Sequence, residues 1–285
     1  MHAHLKKLDV SEFNPNNLTI FFHMPKTGGS SMADLLSAIY GDRYKRMSSK
    51  ELAYLFENHS PVTDIQAVLG HYSLADKFYY HIKQPINHLT VFREPVDRVV
   101  SHYYFLRKER SHHQHNIAMK YTLKEIFETD RAIELGVSNR QVRMMSSVGF
   151  ATKPRIALAL AKENVSRLFT FIGLYENYNE FVQICAEKFN WPKAGIPWVN
   201  GSIRPKMDEI EPELIQTIKD HNTLDLELYD FVRNLYVSRV PELISTMPSL
   251  KKVSPKLRVI PVTRPKELTR WEKTKHWFNG WFKKD

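Results

Sequence analysis

A short apolar strand that turns through a glycine pair straight into a helix limits what this chain can fold into more than any other feature. Leu18–His23 is a compact apolar run, too short for a helix and read as a buried strand. Pro25-Lys26-Thr27-Gly28-Gly29-Ser30-Ser31 follows, and the apolar spacing of residues 30–40 then suits a helix. In such a turn successive backbone N–H groups converge on an anion, and the helix N-terminus adds partial positive charge. Gly28 and Gly29 permit the close backbone approach, Lys26 supplies a point charge, and Thr27, Ser30 and Ser31 can donate hydroxyl hydrogen bonds. The pattern G-x-x-x-x-G-K-[ST] is not met, because here the lysine precedes the glycines. A tight turn with a capping serine is the alternative reading.

The rest of the chain alternates short β-rich runs with helical ones, which favours an α/β layer fold. Residues 65–70, 88–93 and 168–174 read as further buried strands. Helices are expected over 50–59, 73–82, 95–109, 132–145 and 154–163. Others follow from about 175 to 189 and over 209–221 and 224–245, and Thr122-x-x-Glu125 has the form of a capping box. Three segments result: an extension over 1–17, a catalytic domain over 18–246 and a tail over 247–285. A hydrophobic content of 42% with 25% charged residues excludes disorder throughout and a membrane bundle. The single cysteine, Cys185, excludes an intramolecular disulfide and a thiolate metal site, and reads as a small buried hydrophobe. With no spanning run and no signal-like N-terminus, a cytoplasmic protein is expected.

A second anion signal lies in Thr90-Val91-Phe92-Arg93-Glu94-Pro95-Val96-Asp97-Arg98-Val99-Val100-Ser101. Arg93 falls at the C-terminal end of a strand, where open α/β sheets bind ligands, and Ser101 follows about two helical turns later. A guanidinium grips phosphate in two places, which a lysine cannot do. A salt bridge from Arg93 to Glu94 or Asp97 explains the same residue without a ligand. The tract at His112, His113 and His115 has metal-like composition but no carboxylates or structural template, so no metal ligand is assigned.

Pro25–Ser31 after a strand, with Phe92–Arg107 about seventy residues on, resembles the PAPS-dependent sulfotransferases of family 2. The likeness is to the heparan sulfate 2-O-sulfotransferase type, in a bacterial-type form; PAPS is 3′-phosphoadenosine 5′-phosphosulfate. It continues more weakly through Asn139-x-Gln141-x-Arg143, residues 171–181 and residues 224–231. The resemblance implies a P-loop-like central parallel sheet flanked by helices. It implies that Lys26, Thr27, Gly28, Gly29, Ser30 and Ser31 hold the 5′-phosphosulfate, and that Arg93 and Ser101 hold the 3′-phosphate. It places a general base at His71, after Gly70, and further nucleotide contacts at Ser202 and Arg204. PAPS is then the sulfuryl donor, PAP the product, no metal is required, and the acceptor is a hydroxyl of a glycan or glycolipid. Where the animal enzymes carry His-Gly-His, this chain has Leu69-Gly70-His71.

The net charge of +10 is concentrated at the end of the chain: residues 251–285 carry eleven Lys and Arg against three acids. The basic excess is therefore an appendage, and no nucleic-acid partner is expected. Trp271, Trp277, Phe278, Trp281 and Phe282 would share one face of a terminal helix. That pattern suits either peripheral attachment to an anionic membrane face or docking onto the domain or a second chain. Two rival readings stay open from sequence: a P-loop-type kinase or nucleotide hydrolase, and a basic nucleic-acid or membrane-surface binding module.

Overall fold

A computed structural model describes residues 13–59, 61–129, 131–148, 153–192 and 204–245. Five strands form one sheet: β1 (Leu18–Phe22), β2 (Tyr44–Arg46), β3 (Ala67–Gly70), β4 (Ile86–Phe92) and β5 (Phe171–Leu174). All pairings are parallel, in the order β2-β3-β1-β4-β5. Every residue of β1, β3 and β4 is buried, because helices cover both faces of a parallel sheet. That is why these strands read as unbroken apolar runs. Phe21 and Phe22 are completely buried, each stabilising the fold by about 1.5–3 kcal/mol relative to exposure.

The chain leaves β1 for the edge strand β2, returns to β3, then crosses β1 to reach β4 and β5. The order reverses at β1, so the turns after β1, β3 and β4 open side by side at one edge of the sheet. Phe22 lies between Gly70 of β3 and Thr90 of β4 in register, which aligns those three strand ends. Helices α1 (Gly29–Tyr40), α2 (Ser49–Asn58) and α3 (Pro95–Lys108) follow β1, β2 and β4. Beyond them come α4 (His115–Lys120), α5 (Leu123–Glu128), α6 (Arg140–Met145) and α7 (Pro154–Leu168). The series ends with α8 (Tyr178–Lys188), α9 (Pro212–Asp220) and α10 (Thr223–Ser245). A second apolar cluster packs Val99, Val100 and Leu106 of α3 against Ile126, Leu135 and Ile218, fixing the helix that follows the Arg93 turn.

Pro95 and Pro154 open their helices as expected, and Thr122 and Glu125 form a complete capping box. Two expectations are corrected. Residues 73–82 are not an α-helix: Asp76 accepts from the Ser73 N–H at 2.8 Å, its own backbone turns extended, and only a 3₁₀ turn over Lys77–Tyr80 remains. The helix expected over 132–145 is cut to Arg140–Met145, because Gly136 and Asn139 take left-handed φ angles of 69° and 43°. Strand β2 went unforeseen, being three partly exposed residues, Tyr-Lys-Arg, with no apolar run to announce it. Cys185 is buried, as expected. Ser202 and the tail over 247–285 lie outside the described residues. Among those described, no helix is long and apolar enough to cross a membrane.

Candidate active site

The turn after β1 is wound by two left-handed residues, Lys26 (φ 71°) and Gly28 (φ 87°). Thr27 donates its hydroxyl to the Met24 carbonyl at 2.8 Å, so this side chain closes the turn on itself. Gly28 is the N-cap of α1, which has no side-chain cap and no acid in its first turn. The first N–H groups of α1 are therefore not claimed by a capping side chain, as an anion cradle requires. Ser31 is buried beside this turn and Ser30 is exposed. Gly29 packs against the His23 ring: an added Cβ would collide with the buried ring atoms, so a larger residue would force His23 to move. Tyr178 of α8 clamps the turn from the far side, its hydroxyl donating to the Gly28 carbonyl at 3.0 Å.

Arg93 leaves the end of β4 and is 5% exposed. Its Nη1 donates to Ser101 Oγ at 3.2 Å and to the Lys26 carbonyl at 2.7 Å, joining the β4 turn to the β1 turn. The eight-residue spacing thus does bring Arg93 and Ser101 together. Its Nε and Nη2 both reach Asp97 Oδ2 at 2.6 Å, and its guanidinium lies 4.1 Å from the centre of the Tyr175 ring. Arg204 arrives from far along the chain and pairs with the other oxygen of Asp97. Lys26 places its ammonium 4.2 Å from the centre of the Phe105 ring of α3. Burial, then the nearby Arg93, Arg204 and Lys108, push its pKa down to about 8. Four cations thus converge at one corner of the sheet edge.

The backbone of Arg93 is held by a residue that sequence reasoning left without a role. Gln141 accepts from the Arg93 N–H at 3.2 Å and donates to the Arg93 carbonyl at 3.0 Å. Gln141 is fixed in turn, since Asp225 of α10 accepts from the Gln141 and Val142 N–H groups at 3.0 and 2.8 Å. Asn139 completes the lock by accepting from the N–H groups of Leu224 and Asp225. The run Asn139-x-Gln141-x-Arg143 carried the only signal for this, and its arginine turns away to the Ile133 carbonyl.

His71 follows β3 at the same edge. Its Nδ1 lies 2.9 Å from the His23 carbonyl, and a carbonyl can only accept, so Nδ1 carries the proton. The neutral ring therefore keeps its lone pair on Nε2. The rings of His71 and His23 stack at 4.4 Å. His71 is exposed on one side, yet packing on its other side lowers its pKa by loss of hydration, opposed by the bond to His23 and reinforced by Arg46, Arg140 and His112. Buried His23 is pulled further down, by lost hydration first, and stays neutral. The sequence marked His71 but not His23, whose packing under Gly29 is visible only in three dimensions. His112 and His115 are tied to local backbone, and among the described residues no group of three metal-type side chains comes together.

The model of the Sulfotransferase family matches residues 12–232, more than half of the chain. Over 113 residues the chain is 30% identical to a Gallus gallus protein named heparan-sulfate 6-O-sulfotransferase 2. That stretch is 36% of this chain and 28% of the relative, so the chain matches well under half of the relative's length. The relative's name says 6-O, where the motif resemblance was to the 2-O type.

Proposed function

The chain belongs to the sulfotransferase family, and from that premise we propose that it transfers a sulfuryl group from PAPS to a hydroxyl of a glycan or glycolipid. The observation that carries the reading is the convergence of Lys26, Arg93, Ser101 and Arg204 beside an uncapped helix start, with His71 on the neighbouring strand end. A donor with phosphates at both ends of an adenosine fits that distribution. The turn from Lys26 to Ser31 would take the 5′ side, and Arg93 with Ser101 the 3′ side. Arg204 lies at the same corner and would add its charge; the role expected of Ser202 stays a proposal. When bound, PAPS supplies the sulfuryl group and leaves as PAP.

The chain's own residues divide the work. An alcohol is a weak nucleophile, so a base must take its proton as the new bond forms. His71 Nε2 is the lone pair for this, since Nδ1–H is committed to the His23 carbonyl. Lys26 and the first N–H groups of α1 stabilise negative charge that grows on the leaving phosphate, which lowers the barrier more than it favours binding. Thr27, Gly28 and Tyr178 hold the turn in shape. The sulfuryl group carries less charge than a phosphoryl group, so these cations suffice and turnover should persist in a chelator.

The test is transfer itself. Purified full-length protein, incubated with PAPS and a panel of glycans and glycolipids in EDTA, should release PAP and sulfate at least one acceptor. Transfer from ATP instead, dependent on magnesium, would replace this reading with a kinase. Attachment of residues 251–285 to the cytoplasmic face of a membrane stands as a proposal beside it, resting on their charge and tryptophans. Full-length protein should float with anionic vesicles and release in high salt, and protein ending at Pro248 should not.

A further inference from the structure

One carboxylate sits inside the cationic corner, and its contacts give it a job. Asp97 lies on the first turn of α3, with its side chain 22% exposed. One oxygen takes both Nε and Nη2 of Arg93 at 2.6 Å, and the other pairs with Arg204. Arg93 has five N–H groups. Two go to Asp97 and the two on Nη1 to the Lys26 carbonyl and Ser101, which leaves one on Nη2. An incoming phosphate therefore meets a guanidinium whose two-pronged edge is already taken. The other nearby acids are committed to backbone: Glu94 accepts from the Asp97 N–H at 2.7 Å, and Glu176 from the Glu94 N–H at 3.0 Å.

We propose that Asp97 is a resident anion, held between Arg93 and Arg204 at the point where an incoming phosphate would compete for the same guanidiniums. It keeps the two guanidiniums apart from each other's repulsion and aimed at one point. It gives up part of that pairing when phosphate enters, and so weakens nucleotide binding by the strength of the contacts exchanged. Its carboxylate also repels the bound phosphate across a short gap, which favours release of PAP after each turnover. Asp97 is thus a determinant of donor affinity that touches the site through its arginines.

This inference rests on the reading of Arg93 and Ser101 as the 3′-phosphate site, and titration calorimetry separates the two. PAP and AMP, which differ in the 3′-phosphate, are titrated into the full chain and into Asp97→Asn, which keeps an oxygen acceptor and loses the charge. Asp97→Asn should bind PAP about tenfold tighter and AMP unchanged. A purely structural Asp97 would weaken both ligands or lower the melting temperature without that difference. Asp97→Ser, also uncharged, should move PAP the same way and guards against a fault peculiar to the amide. Unchanged or weaker PAP binding in both variants overturns the role of Asp97. If the unaltered protein does not prefer PAP over AMP, the 3′-phosphate reading itself fails, and the inference with it.

Discussion

The two halves of the sheet edge are built from opposite electrostatics. At the β1–β4 corner, Lys26, Arg93, Lys108 and Arg204 crowd together closely enough that burial and mutual repulsion bring Lys26 down to about 8. At the β3 corner two imidazoles stack, and both have their pKa lowered, by lost hydration first. On the proposed reading the first arrangement would hold anions whether or not chemistry occurs. The second offers the lone pair on His71 Nε2, which can take a proton rather than hold an anion. Mutations in the halves should therefore fail differently: the charged half in binding and rate together, the imidazole half in rate alone.

The largest effect is expected at the imidazole. His71→Ala should lower kcat by about 10²- to 10⁴-fold and leave PAP affinity nearly unchanged, by steady-state kinetics and titration. Normal turnover with a true acceptor would move the base elsewhere. Lys26→Ala should cost about 10²- to 10³-fold in kcat and also weaken PAP, because its charge meets both ground and transition states. The two groups also predict the shape of the pH profile. His71 must be neutral, so kcat/KM should fall on the acid side at a pH below the usual imidazole value of 6.5. Lys26 must be charged, so a second fall should begin near its lowered value of about 8. Only that alkaline limb should vanish from the residual activity of Lys26→Ala.

Smaller effects come from residues that hold the charged half in place. Gln141→Ala strands the N–H and carbonyl of Arg93, and should destabilise the protein by about 1–3 kcal/mol in denaturant melts while eroding the preference for PAP over AMP. Tyr178→Phe removes one hydrogen bond to the Gly28 carbonyl, worth about 1 kcal/mol, and should reduce kcat a few-fold with the fold intact. If Tyr178→Phe proved as damaging as Lys26→Ala, the turn would depend on its clamp more than on its charge.

What could be seen in the sequence was whatever local spacing encodes. The strand, the glycine turn and the helix behind it are contiguous, and Arg93 at a strand end precedes Ser101 of the next helix by only eight residues, so both were visible before the fold. Gln141 and Asp225 were not, because their contacts span 48 and 84 residues and leave no periodic trace. Arg204 was marked only through resemblance, and nothing local ties it to Asp97, which is 107 residues away. The helix expected over 73–82 failed because Ser-x-x-Asp can close a turn as readily as it starts a helix. Asp97 was weighed only as a salt-bridge partner for Arg93, and the structure adds that it serves Arg204 at the same time.

The proposed function stands or falls on whether the charged half recognises a 3′-phosphate. Thermal shift with PAP, AMP and adenosine, on the unaltered protein and on Arg93→Ala, measures that directly. PAP should stabilise the unaltered protein far more than AMP, corresponding to about ten- to a hundredfold in affinity, and Arg93→Ala should bind the two alike. Equal stabilisation of the unaltered protein by PAP and AMP would contradict the assignment of Arg93 and Ser101, and with it the choice of donor.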